Sequence, residues 1–200
     1  MDLEKRVISR PLELRKKDGK TFLEGYSAVF YNAARSDETQ FELWGGTFER
    51  IMPGAFDEAL KRPDDVRCLF NHDASSILGR STSGTLTLTV DAIGLRFSCE
   101  LSDDEDGRSI ASKVGRGDVS GCSFGFIADK VVWREEGELT YREIESVRLY
   151  DVGPVTYPAY KGTDVSLAKR SLGERRAERR LPKTLAQAEL HVRLQRALMA

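Results

Sequence analysis

The spacing of apolar and polar residues predicts a chain built mainly of β-strands. Residues 7–14 alternate between the two kinds of residue, and TFLEGYSAVFY, at residues 21–31, is rich in aromatic and β-favouring residues. TLTLTVD, at residues 85–91, alternates cleanly and is followed by a turn and by LRFSCEL, at residues 95–101. The last two segments therefore predict a β-hairpin.

Further strand signals follow in the second half of the chain. VRCLFNHD, at residues 66–73, is a short apolar strand pattern with His72 at its end. Two long β patterns, at residues 119–135 and 138–158, are joined by a turn at residues 135–138. Together with the earlier segments they bring the expected number of strands to about seven.

Two segments have helical patterns. MPGAFDEALKR predicts a short helix that begins near Pro53 and is closed by the proline at residue 63. Residues 103–118 open with acidic side chains, which suit the helix dipole, place Ile110 and Val114 four apart and end in glycines. Residues 32–47 are polar, and AARSDETQ, at residues 33–40, predicts a loop. These elements indicate a mixed α/β (α+β) fold with mostly antiparallel strands.

The character of the chain changes near residue 168. Residues 168–200 hold nine Lys/Arg and three Asp/Glu, whereas residues 1–167 hold 22 and 29, so an acidic body carries a basic tail. The tail is rich in Ala, Arg, Leu and Glu and predicts helix that Pro182 divides. We expect a solvated or partner-bound helix, because aromatic residues are not interleaved with the arginines as they are in many nucleic-acid-binding segments.

Composition narrows the possible environments and cofactors. The three cysteines, Cys68, Cys99 and Cys122, have no CxxC spacing and predict reduced, buried thiols, with no metal site and no cofactor. No run of 18 apolar residues suggests a membrane span, and the N-terminus lacks the apolar core of a secretory signal. A cytoplasm-like compartment is expected.

One stretch carries candidate chemistry. VSGCSFGF places Ser123 between Gly121 and Gly125 and matches the G-x-S-x-G pattern of a nucleophile elbow. A nucleophilic serine needs a base, and the chain has two histidines, His72 and His191. The β pattern continues after Ser123, and the only later histidine lies in the tail, so an α/β-hydrolase is excluded. Glycines that merely bend a strand are the structural alternative.

The order of motifs along the chain indicates the class of protein in which this serine occurs. GYSAVFYN, MPGAFDEAL, LFNHDASSILGRS, DAIGLRFSCEL, VSGCSFGF and LYDVGPVTYPAY occur in one fixed order over about residues 20–165. This resembles the prohead protease family of tailed bacteriophages. The resemblance implies an assemblin-like fold, a mostly antiparallel closed β barrel with a few surrounding helices. Residues 1–167 would be the catalytic domain and residues 168–200 the basic helical tail.

The same resemblance implies an activity and partners. The expected function is a serine endopeptidase that cleaves scaffold, or the scaffolding segment of the major capsid protein, and itself. It would act inside the procapsid in the host cytoplasm, as a homo-oligomer, without membrane or specific nucleic acid. The alternative is a non-enzymatic capsid assembly protein that uses the same fold to bind scaffold.

Matching the family motifs residue by residue implies a catalytic set. His72 corresponds to the base and Ser123 to the nucleophile, while Asp151 stands where the family usually has a glutamate. Glu143 and Glu145 remain alternative acids. Ser120 is an odd number of residues from Ser123, so on a strand it would point to the opposite face, as would the neighbouring Cys122.

The sequence says less about the hydrogen-bond donors that would stabilise an oxyanion than about the catalytic set. The candidates are backbone amides in the run of residues 115–117 and around Phe124, with the Arg116 side chain as a cationic helper. A solvated helix terminus is the simpler interpretation of Arg116.

Overall fold

The computed structural model describes residues 3–8, 10–62, 64–157 and 168–174. The chain divides into two compact units, Met1–Asp164 and Val165–Ala200. The described strands, all in the first unit, are Glu4–Ile8 (β1), Glu13–Lys17 (β2), Lys20–Val29 (β3), Gln40–Trp44 (β4), Thr47–Ile51 (β5), Arg67–Leu69 (β6), Ile77–Arg80 (β7), Leu86–Val90 (β8), Gly94–Leu101 (β9), Gly121–Glu136 (β10) and Leu139–Val155 (β11). Its described helices are a 3-10 turn, Ala33–Arg35, and three α-helices, Ser36–Thr39 (α1), Asp57–Lys61 (α2) and Glu105–Gly115 (α3).

The strands form two sheets. Five strands of the larger sheet follow the order β1-β10-β11-β5-β4, and β6 branches from β11 and carries β7. The smaller sheet has the order β2-β3-β9-β8. Most pairs are antiparallel, but β11 pairs in parallel with β5 through its first half and with β6 near its end. The described fold is therefore two mixed or antiparallel sheets around a shared core.

The predicted closed barrel is wrong. In the described part of the chain the larger sheet ends at β1 on one side and β4 on the other, and no strand pairing joins it to the smaller sheet. Alternation along a strand fixes which side chains face the core, but it does not fix the neighbouring strand. The 17-residue β11 is long enough to pair with β5 along its first half and with β6 near its end, so the sheet branches. Among the described strands its edges stay open and do not close into a barrel.

The hydrophobic core lies between the sheets and includes Leu23 and Phe97 from the smaller sheet and Phe124, Phe126 and Ile144 from the larger. These five side chains are fully buried, and each buried side chain of this size contributes about 1.5–3 kcal/mol to folding. The core fixes the backbone of β10, the strand that carries Ser123.

Both predicted helices are present. A turn at residues 53–56 precedes α2, and its Phe56 is fully buried. At α3 the Asp104 side chain accepts a hydrogen bond from the backbone amide of Gly107 at 2.8 Å, an N-cap, and Ile110 and Val114 face the core.

Three local predictions need correction. Residues 7–14 are split between β1 and β2, which belong to different sheets, with Pro11 in the non-strand segment between them. The expected loop at residues 33–40 consists of the 3-10 turn and α1, and β4 begins at its last residue. The strand that was expected to carry His72 ends at Leu69, so His72 lies in the turn that follows β6.

In the second unit, residues 168–174 form a helix, as the tail pattern predicts. The remainder of the predicted helical tail, with Pro182 and His191, lies outside the described residues. Searching the described residues for a helix with the length and apolar character of a membrane span finds none.

Candidate active site

Ser123 lies near the start of β10, between β1 and β11. Its backbone is opposite Val7 of β1 and Gly153 of β11. Phe124 and Phe126, on the same strand, point into the core. There the Phe124 ring stacks on Phe126 at a centroid distance of 4.7 Å and meets Phe56 edge-on at 5.6 Å. Because strand side chains alternate, this packing directs Ser123 to the other face of β10.

The His72 ring reaches Ser123 from the turn after β6. Asn71 and His72 both have left-handed backbone conformations, with φ of 55° and 58°, which non-glycine residues seldom adopt outside constrained sites. The Asn71 amide donates to the Pro154 carbonyl at 3.0 Å, and its side chain is hydrogen bonded to Thr156. The end of β11 therefore holds this turn in place.

The three residues matched to the family's catalytic set form one chain of contacts. His72 Nε2 is 2.5 Å from Ser123 Oγ, and His72 Nδ1 is in hydrogen-bond contact with Asp151 Oδ1. With the imidazole proton on Nδ1, Asp151 accepts it and Nε2 is free to accept the serine proton. The arrangement of nucleophile, base and orienting carboxylate is the one required for serine-based acyl transfer.

Two glycines make room for this arrangement. A Cβ added at Gly125 would lie 3.0 Å from Asp151 Cγ and closer still to a carboxylate oxygen. A Cβ at Gly153, whose φ is 152°, would lie 3.0 Å from the backbone nitrogen of Leu69 in β6. Gly125 thus accommodates the carboxylate, and Gly153 lets β6 approach β11 closely.

The two alternative acids and the second serine lie outside this series of contacts. Glu143 is buried and ion-paired with Arg50 and Arg134, and Glu145 is paired with Lys130 at 2.6 Å. Ser120 is exposed and precedes β10. Each of the two alternative acids therefore has a basic partner of its own.

The cysteine beside Ser123 is not a reactive thiol. Burial raises the pKa of Cys122 to about 12, so the thiol is not ionised at neutral pH. All three cysteines are buried and free, as predicted. Among the described residues, no cluster of three or more His, Cys, Asp or Glu is arranged to hold a metal ion.

The proposed oxyanion donors near α3 already have partners. The backbone amides of Arg116 and Gly117 donate to Ser112 and Val114, and the Arg116 guanidinium pairs with Asp118. These groups complete the end of the helix, which is the simpler interpretation given above. Phe124 lies within the paired part of β10, opposite Arg6 and Val152.

A buried ion cluster connects β1 to two other strands of the larger sheet, and the sequence analysis did not predict it. Its members alternate in sign and lie on three strands: Glu4 and Arg6 on β1, Glu49 on β5 and Arg142 on β11. Burial by itself would raise the pKa of Glu49, but the guanidinium groups of Arg6 and Arg142 hold that pKa below its ordinary value. The only sequence signal was two charged residues, Glu4 and Arg6, at alternate positions of a strand.

The same strand contacts Ser123. Ser123 Oγ donates a hydrogen bond to the carbonyl oxygen of Arg6 at 2.8 Å, and Ser123 has no exposed surface. The His72 and Asp151 side chains are only 9% and 8% exposed. The three side chains are therefore in contact with one another and covered.

Comparisons with known proteins agree with the fold and with the motif order. The family model described as caudovirus prohead serine protease matches residues 10–178. A solved structure of the bacteriophage T4 capsid assembly protease gp21 is similar, with a TM-score of 0.51 and 11% sequence identity, covering 78% of this chain and 98% of that one. At this identity the structural likeness shows a shared fold alone. A search of curated proteins gave no match.

Proposed function

The chain belongs to the caudovirus prohead serine protease family, and we propose that Ser123, His72 and Asp151 are the catalytic residues of this protease. The observation that carries the proposal is the contact chain from Ser123 Oγ through the two nitrogens of His72 to Asp151. The three residues come from elements separated by 51 and 79 positions, so no local pattern explains their meeting.

The chemistry follows from the roles of the three groups. Ser123 Oγ attacks the carbonyl carbon of the scissile peptide while His72 Nε2 takes the hydroxyl proton. Asp151 holds the Nδ1 proton and stabilises the imidazolium that forms. His72 then gives its proton to the leaving amine, and an ester between Ser123 and the new carboxyl end remains. Water, deprotonated by His72, hydrolyses that ester and restores the serine.

The substrates that we propose are the proteins of the assembling phage head. The family is defined by prohead proteolysis, and the structurally similar protein is named as a capsid assembly protease. We therefore assign cleavage of scaffold, or of the scaffolding segment of the major capsid protein, inside the procapsid in the host cytoplasm. Self-cleavage near the basic segment 168–200 belongs to the same proposal.

Co-expression tests both the activity and the nucleophile. The chain is produced with the major capsid and scaffold proteins of the same phage, and the new termini are mapped by mass spectrometry. We expect cleavage by the wild type and by Ser120→Ala, the matched control at an exposed serine, and none by Ser123→Ala. Full processing by Ser123→Ala would overturn the assignment of the nucleophile.

A chemical probe separates the enzyme from a non-enzymatic assembly protein. A reactive-serine phosphonate becomes attached to an activated serine without any need for a protein substrate. We expect the label on Ser123 and its loss in His72→Ala. A folded wild-type protein that cleaves neither capsid nor scaffold and takes up no label would favour the scaffold-binding alternative.

A further inference from the structure

The position of β1 bears on how the site is controlled. β1 is the terminal strand of the larger sheet and pairs antiparallel with β10 from Glu4↔Phe126 to Ile8↔Cys122. Ser123 therefore lies beside a strand that, among the described residues, has no further neighbour in its sheet. A nucleophile with no exposed surface cannot meet a peptide bond unless part of this cover moves.

The contact with β1 also opposes catalysis directly. A serine hydroxyl has one proton, and two acceptors lie within reach of Ser123 Oγ, namely His72 Nε2 at 2.5 Å and the Arg6 carbonyl oxygen at 2.8 Å. A proton directed to Arg6 is not available to the base. Removing β1 leaves His72 as the acceptor that remains and opens the edge of β10 beside the nucleophile.

An extended substrate segment needs the same edge. Peptides that bind as strands do so through the unpaired backbone groups of an edge strand, and on β10 those groups are taken by β1 near Ser123. Because a peptide backbone and β1 would occupy one space, their binding is mutually exclusive.

The ion cluster allows this exchange without leaving a net buried charge. β1 supplies one negative and one positive side chain, Glu4 and Arg6, and both leave together. Glu49 and Arg142 stay behind, already paired with each other, so the sheet keeps a neutral pair. Departure of one charge alone would leave an uncompensated buried charge, which is strongly destabilising.

We propose that β1 is an autoinhibitory strand, and that the protease acts when an extended segment of substrate takes its place on β10. This rests on the proposed function of Ser123. The non-strand residues 10–12 between β1 and β2 form the hinge, so β1 withdraws while the smaller sheet stays intact. Reactivity then scales with the fraction of molecules in which β1 is withdrawn.

A reversible crosslink tests whether β1 must move. Ile8 and Cys122 are directly opposite each other on the two strands, and facing positions in an antiparallel pair fall within the span of a disulfide. In Ile8→Cys, refolding under oxidising conditions joins the introduced thiol to Cys122 before Cys122 is buried and fixes β1 on β10, and a reductant releases it. The matched control, Ile8→Cys with Cys122→Ser, has the same change at residue 8 and cannot form this crosslink.

The readout is the rate at which the phosphonate probe labels Ser123 in the full-length chain. We expect oxidised Ile8→Cys to react roughly tenfold or more slowly than the same protein after reduction, with no redox effect in the control. Equal rates in the crosslinked and reduced forms would overturn the autoinhibitory role. Absence of labelling in the reduced form and in the wild type would instead count against the nucleophile itself.

A second pair of variants tests the opposite direction. Ile8 and Cys122 form a hydrogen-bonded pair of the two strands, because the carbonyl of Pro154, opposite Cys122, is directed to Asn71 and the backbone groups of Cys122 therefore face β1. A proline at residue 8 removes a donor to β10 and disfavours strand pairing. We expect Ile8→Pro to label several-fold faster than Ile8→Ala, which keeps the backbone groups of β1. An Ile8→Pro protein with wild-type circular dichroism and an unchanged or slower labelling rate would contradict the proposal.

Discussion

Gly125 and Asp151 are opposite each other on β10 and β11, and the absence of a side chain at Gly125 leaves the space that the Asp151 carboxylate occupies. The second glycine of the G-x-S-x-G stretch therefore has a role that differs from a nucleophile elbow. It accommodates the carboxylate in contact with His72, two residues along the strand from Ser123.

Gly125→Ala should impair catalysis by displacing that carboxylate. The added methyl group would lie too close to Asp151 for both to keep their positions, so His72 loses its orienting contact. We expect kcat to fall by roughly 10²-fold, the scale of misplacing a catalytic group by about an ångström. Gly115→Ala is the control, because its Cβ would make an ordinary 3.6 Å contact with Leu14. Equal kcat values in the two variants would contradict this role for Gly125.

The identity of the acid can be tested by comparing three amide substitutions. Asp151→Asn removes the charged group that accepts the hydrogen bond from Nδ1–H, and this change is expected to lower kcat by roughly 10⁴-fold, the known scale in serine proteases. Glu145→Gln should leave kcat near the wild-type value, since Glu145 pairs with Lys130. Glu143→Gln should lower thermal stability rather than kcat, because it leaves Arg50 without its carboxylate. A larger kcat loss in Glu145→Gln or Glu143→Gln than in Asp151→Asn would reassign the acid.

Periodicity predicted the features that depend on a single segment. The long β patterns and the helix at α3 are present. Ser123 and the core residues beside it lie on opposite faces of β10, as alternation along a strand predicts. The order of the motifs also selected His72, Ser123 and Asp151, and these three side chains lie in contact.

Features that depend on distant partners were not predictable in the same way. The left-handed turn at His72 is held by groups beyond residue 150, and a short segment such as VRCLF cannot show where its strand will end. The barrel was predicted wrongly because alternation does not show that β11 pairs with two different strands. The burial of Glu4 and Arg6 could not be predicted from their own segment, since their partners lie in β5 and β11.

Two substitutions at Asn71 can separate its anchoring contacts from its backbone conformation. Asn71→Gly removes all three side-chain hydrogen bonds with Thr156 but tolerates a φ of 55°. Asn71→Ala loses the same bonds and adds about 1 kcal/mol of strain. We expect both to lower kcat about tenfold by loosening the His72 turn, and Asn71→Ala to have the lower Tm. A wild-type kcat in both variants would show that the Asn71 side chain does not position His72.

The buried carboxylate of Glu49 should make stability sensitive to acid. Its pKa is lower in the folded protein than the ordinary value of 4.5, so its contribution is fully present above pH 4.5. That contribution is lost as the pH falls below 4.5 and through the folded-state pKa. Glu49→Gln leaves Arg6 and Arg142 with Glu4 alone and should lower the free energy of unfolding at pH 7 by about 3–5 kcal/mol.

Denaturant unfolding of the wild type and Glu49→Gln between pH 3 and pH 7 measures this dependence. Because the variant has no titrating group at residue 49, we expect the difference between the two proteins to be largest near neutral pH and to narrow below pH 4.5. Glu58→Gln is the control, since its exposed pair with Lys61 is screened by solvent and should leave stability nearly unchanged. A difference between wild type and Glu49→Gln that stays constant over this range would mean that folding does not shift the pKa of Glu49. A difference that widens as the pH falls from 7 would mean that Glu49 is protonated in the folded protein at neutral pH, and the cluster would then not be the neutral set of four charges that the exchange of β1 requires.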